Sequence, residues 1–298
     1  MRVTTSLFYS RASAQMSRLS DQAGALQGQI ASGKKITSAA DDAVAYQRLA
    51  TLKQAGADDG VYKGNLSMAQ GLLAQTDGAL GGVQTQLQRV QELMVQANSG
   101  TLNQSQREGL AASIDSIRDD LLGLANGTDM RGQPLFGGDS GDTAFTKAAD
   151  GSITFTGSAT TASIPIGAQS QVQATASGAS VFGGDGTAPD IFATLQSFSD
   201  ALRSGDDLST GNISSDVDAA MTNVTNVRAS FAARGARVDL EVARLADVAS
   251  ARETTRSSLE DVDVTDAITK LQNTMTTLQA AQASFTKLSS LSLFNYLN

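Results

Sequence analysis

One run of side chains limits what this sequence can fold into more than any other. Tyr62, Leu66, Ala69, Leu73, Thr76, Leu80, Val83, Leu87, Val90, Met94 and Ala97 follow one another in ten consecutive steps that alternate four and three. Only a helix returns the same face at that interval, because about 3.6 residues complete a turn. A stripe of this length, almost wholly apolar, has to be covered by other helices along its whole extent. The same alternation runs through Tyr9, Ala12, Met16, Leu19, Ala23, Leu26 and Ile30, and again through Ile213, Val217, Ala220, Val224, Val227, Phe231, Arg234, Val238, Glu241, Leu245 and Val248. A last stripe, with steps of three, four or seven, links Val264, Ile268, Leu271, Met275, Leu278, Phe285 and Leu288, and the chain closes on Leu291, Leu293, Phe294, Tyr296 and Leu297. Two shorter helices are expected, one with Leu110, Ile114, Ile117, Leu121 and Leu124 on one face, the other with Ile191, Phe192, Leu195, Phe198 and Leu202.

The interruptions divide the chain. Gly33 can end the first helix, and Ser38 or Asp41 can cap the next. Asn98-Ser99-Gly100-Thr101 reads as a turn short enough to make the helices on either side antiparallel neighbours. Asn126-Gly127 stops the helix after it, and Asp261-Val262-Asp263 shifts the register before the last stripe. All three prolines, Pro134, Pro165 and Pro189, fall in a stretch rich in Gly, Ser and Thr, where Ser152–Thr156 and Ser163–Ile166 have strand composition. Phe136, Phe145, Phe155 and Phe182 are spaced through that stretch, which argues for a folded insert over a disordered linker. The expected fold is mainly α, a discontinuous bundle of long helices from both ends of the chain with a small β-rich insert. Its expected divisions are an N-terminal coiled-coil segment over 1–40, helical core over 41–132 and 190–262, the insert over 133–189, and a C-terminal coiled-coil segment over 263–298.

Composition narrows the chemistry. The chain has no Cys, His or Trp. Thiolate nucleophiles, disulfides, imidazole bases and the usual structural zinc ligands are therefore excluded, although carboxylate chemistry is not. A net charge of −8 provides no basic excess for phosphates, so no nucleic-acid partner is expected. No run reaches the length of a membrane span, and Met1–Leu7 lacks the continuous apolar core of a cleavable signal peptide. The paired carboxylates Asp41-Asp42, Asp58-Asp59, Asp119-Asp120 and Asp206-Asp207 are sequence neighbours that point in different directions on a helix, and are expected to be solvated or capping. Gly137-Gly138 and Gly183-Gly184 lack the Lys-Ser/Thr of a phosphate loop and read as turns. No enzyme activity, cofactor or metal site is expected.

Ser32-Gly33-Lys34-Lys35-Ile36-Thr37-Ser38-Ala39-Ala40-Asp41-Asp42 resembles the N-terminal loop of the flagellin superfamily. Met1-Arg2-Val3-Thr4-Thr5 with Phe8-Tyr9, Leu124–Asp129 followed by Leu135-Phe136-Gly137-Gly138, and the ending Phe285–Leu288 with Ser292-Leu293-Phe294 are similar to its hook-associated, FlgL-type branch. A short filament flagellin is the alternative. It is favoured at Ala43-Val44-Ala45, where FlgL-type sequences often carry Pro. The resemblance covers both ends and is weakest in the insert. It implies a structural flagellar subunit at the hook–filament junction, exported by the flagellar type III apparatus with a chaperone and no cleaved signal, outside the cell between a FlgK-like hook-associated protein and flagellin. It also implies termini that order on assembly. The side chains expected to form the assembly seam are Tyr9, Ala12, Met16, Leu19, Ala23, Leu26 and Ile30, with Val264, Ile268, Leu271, Met275, Leu278, Phe285, Leu288 and Phe294. The family-motif loop is marked by Ser32, Gly33, Lys34, Asp41 and Asp42. Polymerisation into a ring or helical array is the expected mode of action.

Overall fold

The computed structural model describes the backbone of residues 2–99, 102–184, 189–205 and 212–297, with side chains over the same ranges from Leu7 to Lys287. The chain runs α1 (Arg2–Ser32), α2 (Ala43–Ala97), α3 (Gln104–Ala125), β1 (Phe145–Lys147), β2 (Ile153–Phe155), β3 (Ile164–Gly167), β4 (Ser170–Val172), α4 (Gly178–Phe182), α5 (Ile191–Ser204), α6 (Ile213–Glu260) and α7 (Val264–Leu297). It is mainly helical with strands in the middle, as the periodicity predicts. It divides into two compact units, one from residues up to Asp58 and from Asp247 onward, the other from Asp59 to Ala246. Both boundaries fall inside continuous helices, α2 and α6.

The helix ends follow from local chemistry. Asn103 and Gln106 form a reciprocal capping box on α3, each accepting the other's backbone N–H at 2.9 Å. Asp190 caps α5 by accepting from the amides of Phe192 and Ala193, and Gly205 ends it in the left-handed conformation. The cap of α2 is Asp42, not Ser38 or Asp41: its Oδ1 accepts from Val44 N and Ala45 N, both at 3.0 Å. Because α2 starts at Ala43, only the residue directly before it can reach those amides. Asp263 caps α7 in the same way through Thr265 N and Asp266 N.

In the larger unit the long stripe of α2 is covered as its length demands. Leu66, Ala69, Leu73, Thr76, Leu80, Val83, Leu87, Val90 and Met94 are all buried, facing Val217, Ala220, Val224, Phe231 and Val238 of α6 in one core. The two helices run antiparallel. Their polar edges pair in descending order, with Gln70 on Asp239 at 2.9 Å, Asp77 on Arg228 through two nitrogens at 3.0 and 3.2 Å, and Gln91 on Asp218 at 2.7 Å. Helix α3 runs back along α2, where Gln86 meets Asp120; Gly100 and Thr101 of the expected turn between them lie outside the described residues.

The insert consists of two separate antiparallel hairpins, β1–β2 and β3–β4. Strands β2 and β3 lie where Ser152–Thr156 and Ser163–Ile166 predict them. Their partners, Phe145-Thr146-Lys147 and Ser170-Gln171-Val172, carry two and one strand-favouring side chains against the three of Ile153-Thr154-Phe155. The hairpins have no core of their own. Phe145 packs on Phe155, Phe182 and Phe192 at 5.0–5.5 Å between ring centres, and Phe136 meets Phe182 edge-on at 5.4 Å. The spaced phenylalanines thus join the β1–β2 hairpin to α4 and α5 of the same unit. Phe182→Ala removes a fully buried ring from the middle of this group. It should destabilise the larger unit by about 3–5 kcal/mol in denaturant unfolding, whereas Phe8→Ala, at a ring 48% exposed in α1, should leave that transition in place.

Candidate functional site

The smaller unit holds the side chains that the sequence marks for assembly. Here α1 and α7 pack antiparallel, with the Tyr9 and Phe285 rings in edge contact at 5.4 Å toward one end and Lys34 bridged to Asp261 just beyond the other. On α1 the buried face is the one its periodicity predicts. Ala23 is buried, Tyr9, Ala12, Met16, Leu19, Leu26 and Ile30 are half-buried, and most residues between them are exposed.

On α7 the expected stripe divides in two. The line facing α1 runs through Ala267, Leu271, Thr274, Leu278, Ala281 and Phe285, with Ala267 and Thr274 its most buried members. Val264, Ile268 and Met275 are off this seam, 45%, 42% and 38% exposed. These three therefore stand apart from the α1–α7 contact of the single chain, whose most buried line on α7 is the one through Ala267 and Thr274. Small side chains let two helices approach closely, so alanine and threonine take the innermost places, while a reading weighted toward large apolar residues passes over them. Thr274 fits there because its hydroxyl donates to Lys270 O at 2.8 Å within its own helix, leaving its methyl group to pack. Thr269, Thr276, Thr277 and Thr286 on the outer faces also donate to the carbonyl four residues back, at 2.8–2.9 Å. A face of this kind, apolar along one line and self-satisfied in its hydroxyls, loses few hydrogen bonds to water when it is covered. Leu288 and Phe294 belong to the part of α7 whose side chains lie outside the described residues.

The motif loop fastens the start of this pair. Gly33 has φ +71°, a conformation that favours glycine, and turns the chain out of α1. Lys34 N donates to Ser32 Oγ at 3.3 Å. Lys35 N donates to Glu260 O at 2.7 Å, and Val262 N to Gly33 O at 3.0 Å, so the exit of α1 is laced to the α6–α7 joint by main chain. Side chains reinforce the clasp: Lys34 Nζ lies 2.5 Å from Glu260, which also pairs with Arg256 at 2.5 Å, and Lys35 Nζ donates to Ser258 O at 2.8 Å. The Lys34 ammonium, with help from Arg256, holds the Glu260 carboxyl below the usual range against the opposing effect of burial. Within the loop, Asp41 Oδ2 accepts from Thr37 N at 2.9 Å and Ser38 N at 2.8 Å and from both hydroxyls. These bonds, led by the Thr37 amide, keep its carboxyl below the ordinary value. Glu260 and Val262, the far side of the clasp, carry no local signature; the register shift at Asp261–Asp263 was the trace of the joint visible in the sequence.

The remaining carboxylate pairs do not converge on a pocket. Asp58 accepts from Gln54, Asp119 pairs with Lys147 at 2.5 Å, and Asp120 accepts from Gln86. Asp206 and Asp207 lie outside the described residues. Gly138 sits in a turn and Gly183 ends α4, both with positive φ. Among the described residues no group of three or more carboxylates is placed to hold a metal ion, and no helix is long and apolar enough to cross a membrane.

Comparison with known proteins gives matches at both ends of the chain. The family profile of the bacterial flagellin N-terminal helical region matches residues 3–140, and that of the bacterial flagellin C-terminal helical region matches residues 215–297. Flagellar hook-associated protein 3 of Salmonella typhimurium (strain LT2) is 28% identical over 99% of this chain and 99% of its own length. The protein of the same name from Escherichia coli K12 is 29% identical over 89% and 90%. Flagellin B of Vibrio cholerae is 33% identical, but over 41% of this chain and 32% of its own. In fold, the chain is similar to the solved structure of a flagellar hook-associated protein from Vibrio parahaemolyticus, with a TM-score of 0.67 and 16% identity, over 74% of this chain and 100% of that one.

The clasp should respond to acid. Because the Glu260 carboxyl is depressed in the folded chain, its contribution is complete above the ordinary glutamate value of 4.5 and is lost as pH falls through the lower folded-state value. Glu260→Gln should cost roughly 1 kcal/mol or less at neutral pH, read as the difference in thermal unfolding of the smaller unit. That difference should shrink toward zero in acid below the glutamate range.

Proposed function

The chain belongs to the bacterial flagellin family, and from that premise we propose that it is a structural subunit of the flagellum, a hook–filament junction protein of the hook-associated protein 3 (FlgL) type. It works by polymerising: α1 and α7 join copies into a ring or helical array and connect the hook, through a FlgK-like hook-associated protein, to the flagellin filament. It is carried out of the cell by the flagellar type III apparatus with a chaperone, without a cleaved signal peptide, and it catalyses no reaction. The observation that carries this reading is the extent of the likeness. Hook-associated protein 3 matches along nearly the whole chain, insert included, while the filament flagellin match is partial.

The α1–α7 pair supplies a physical reason for assembly. Six of the seven expected seam positions on α1 are only half-buried, and α7 keeps a second apolar line, Val264, Ile268 and Met275, exposed. Further copies packed against that line complete a burial that one chain leaves unfinished, and they offset the entropy of ordering the two helices.

In a strain lacking this chain, hooks should form but flagellin should be shed into the medium, and antibody against the restored chain should label one narrow band between hook and filament. Labelling along the whole filament would make the chain a short flagellin instead. Leu271→Asp or Leu278→Asp puts a charge into the seam. Either should leave unfolding of the larger unit within about 0.5 kcal/mol while abolishing attachment of the filament, read as lost motility and flagellin in the culture supernatant.

A further inference from the structure

The α1–α7 seam has little to fix its own register. From Ala12 to Ile30 on one helix and from Ala267 to Ala281 on the other, every seam side chain is apolar or is a threonine already bonded within its helix. Sliding α1 by one heptad sets the same kinds of side chain against each other again, with no buried charge or amide to penalise the shift. The edge contact of Tyr9 with Phe285 is the specific pairing such a slide would give up.

The tethers of the two helices are unequal. Three residues, 261–263, join α7 to α6, while ten, 33–42, join α1 to α2. Ten residues can extend to roughly 33 Å, whereas one heptad of helix advances only about 10.5 Å. The covalent chain therefore leaves α1 free to slide past α7. That slack is taken up in two places: Asp41 folds Thr37 and Ser38 into a tight turn, and the clasp ties Gly33 and Lys35 to Val262 and Glu260.

We infer that this clasp is the register-setting device of the terminal helix pair: the main-chain bonds of Gly33 and Lys35 to Val262 and Glu260, with the Lys34–Glu260 ion pair, choose one pairing among those the seam tolerates. The motif loop is then a positioning element, and its glycine is needed because the turn out of α1 must bring Lys34 and Lys35 alongside the joint. Register decides at what height the exposed Ile268 and Met275 stand relative to α1, and so what composite surface the pair presents.

The chain contains no cysteine, so introduced cysteine pairs report register directly. The pairing that sets Tyr9 on Phe285 sets Ala23 opposite Leu271; a one-heptad displacement sets it opposite Leu278. Ala23→Cys is combined with Leu271→Cys or with Leu278→Cys in the full chain. Each combination is made with the clasp intact and with Lys35→Pro and Val262→Pro, which together remove both main-chain donors. With the clasp intact, mild oxidation should close the Leu271→Cys pair and leave the Leu278→Cys pair open. Without the clasp, the yield of the shifted disulfide relative to the native one should rise roughly tenfold or more. Lys34→Met with Glu260→Gln keeps every main-chain donor and should move the ratio the same way by a smaller factor, which covers the case in which the proline variant loses its helices. A ratio that neither variant changes overturns the inference, as does an intact chain that closes neither pair or both equally. Register is a property of the single chain, so this outcome is independent of the flagellar role.

Discussion

The structure depends on one constraint: a helical stripe of large and small apolar side chains that must be kept from water along its whole length. Within Asp59–Ala246 the chain meets it alone. The stripe of α2 faces that of α6, α3 and α5 close on them, and the two hairpins contribute Phe145, Phe155, Ile166 and Val172 to the same apolar group. The large side chains in that core, Leu80, Leu87, Phe182 and Phe198 among them, are almost fully enclosed. Such a core tolerates little change in volume, because a cavity left inside it is refilled only in part.

Among the described residues the terminal helices meet the same constraint mainly against each other, and the result differs. A two-helix pair can hide one line of side chains from each member, which is why Ala267 and Thr274 are buried while Ile268 and Met275 are not. The innermost places on α7 go to small residues, Ala267 and Thr274. The outer faces of α7 are mostly threonine, glutamine and serine, with Lys287 the only charged residue after Lys270. A surface meant to stay in water is usually rich in mixed charge. This one is suited to being covered, which is the physical content of the proposed polymerisation.

What could be read from the residues tracks how local the signal is. The long helices, the insert and the face of α1 were legible because periodicity is a property of consecutive positions. The mainly helical class with a central strand region followed directly. The seam face of α7 was only partly legible. Leu271, Leu278 and Phe285 were identifiable by size, but Ala267, Thr274 and Ala281 look unremarkable until a partner helix is placed against them. The cap of α2 is Asp42, four and one positions after the expected Ser38 and Asp41, because all three are good caps and only the start of the helix distinguishes them. Strands β1 and β4 are hidden by their composition, since Lys147, Ser170 and Gln171 dilute the strand-favouring side chains that mark β2, a strand of the same length. The clasp was half legible: the loop from Ser32 to Asp42 stands out, but what it binds, Glu260 and Val262, is more than two hundred residues away.

That division of labour has a physical logic. A seam built from interchangeable apolar positions associates readily but discriminates poorly between registers, since hydrophobic burial is not directional. Hydrogen bonds and ion pairs discriminate well, because a displaced donor loses its partner outright, but they contribute little net stability where water competes. The smaller unit keeps the two kinds of interaction apart. Burial is spread along α1 and α7, and the directional bonds are concentrated at the joint, where Gly33, Lys34 and Lys35 meet Glu260, Asp261 and Val262. A helix pair organised in this way can expose the charge-poor outer face of α7 to other copies without giving up a defined alignment of its own two strands. The alignment is held at the end of the pair, and the one buried hydroxyl described in the seam, that of Thr274, is bonded within its own helix and takes no part in it.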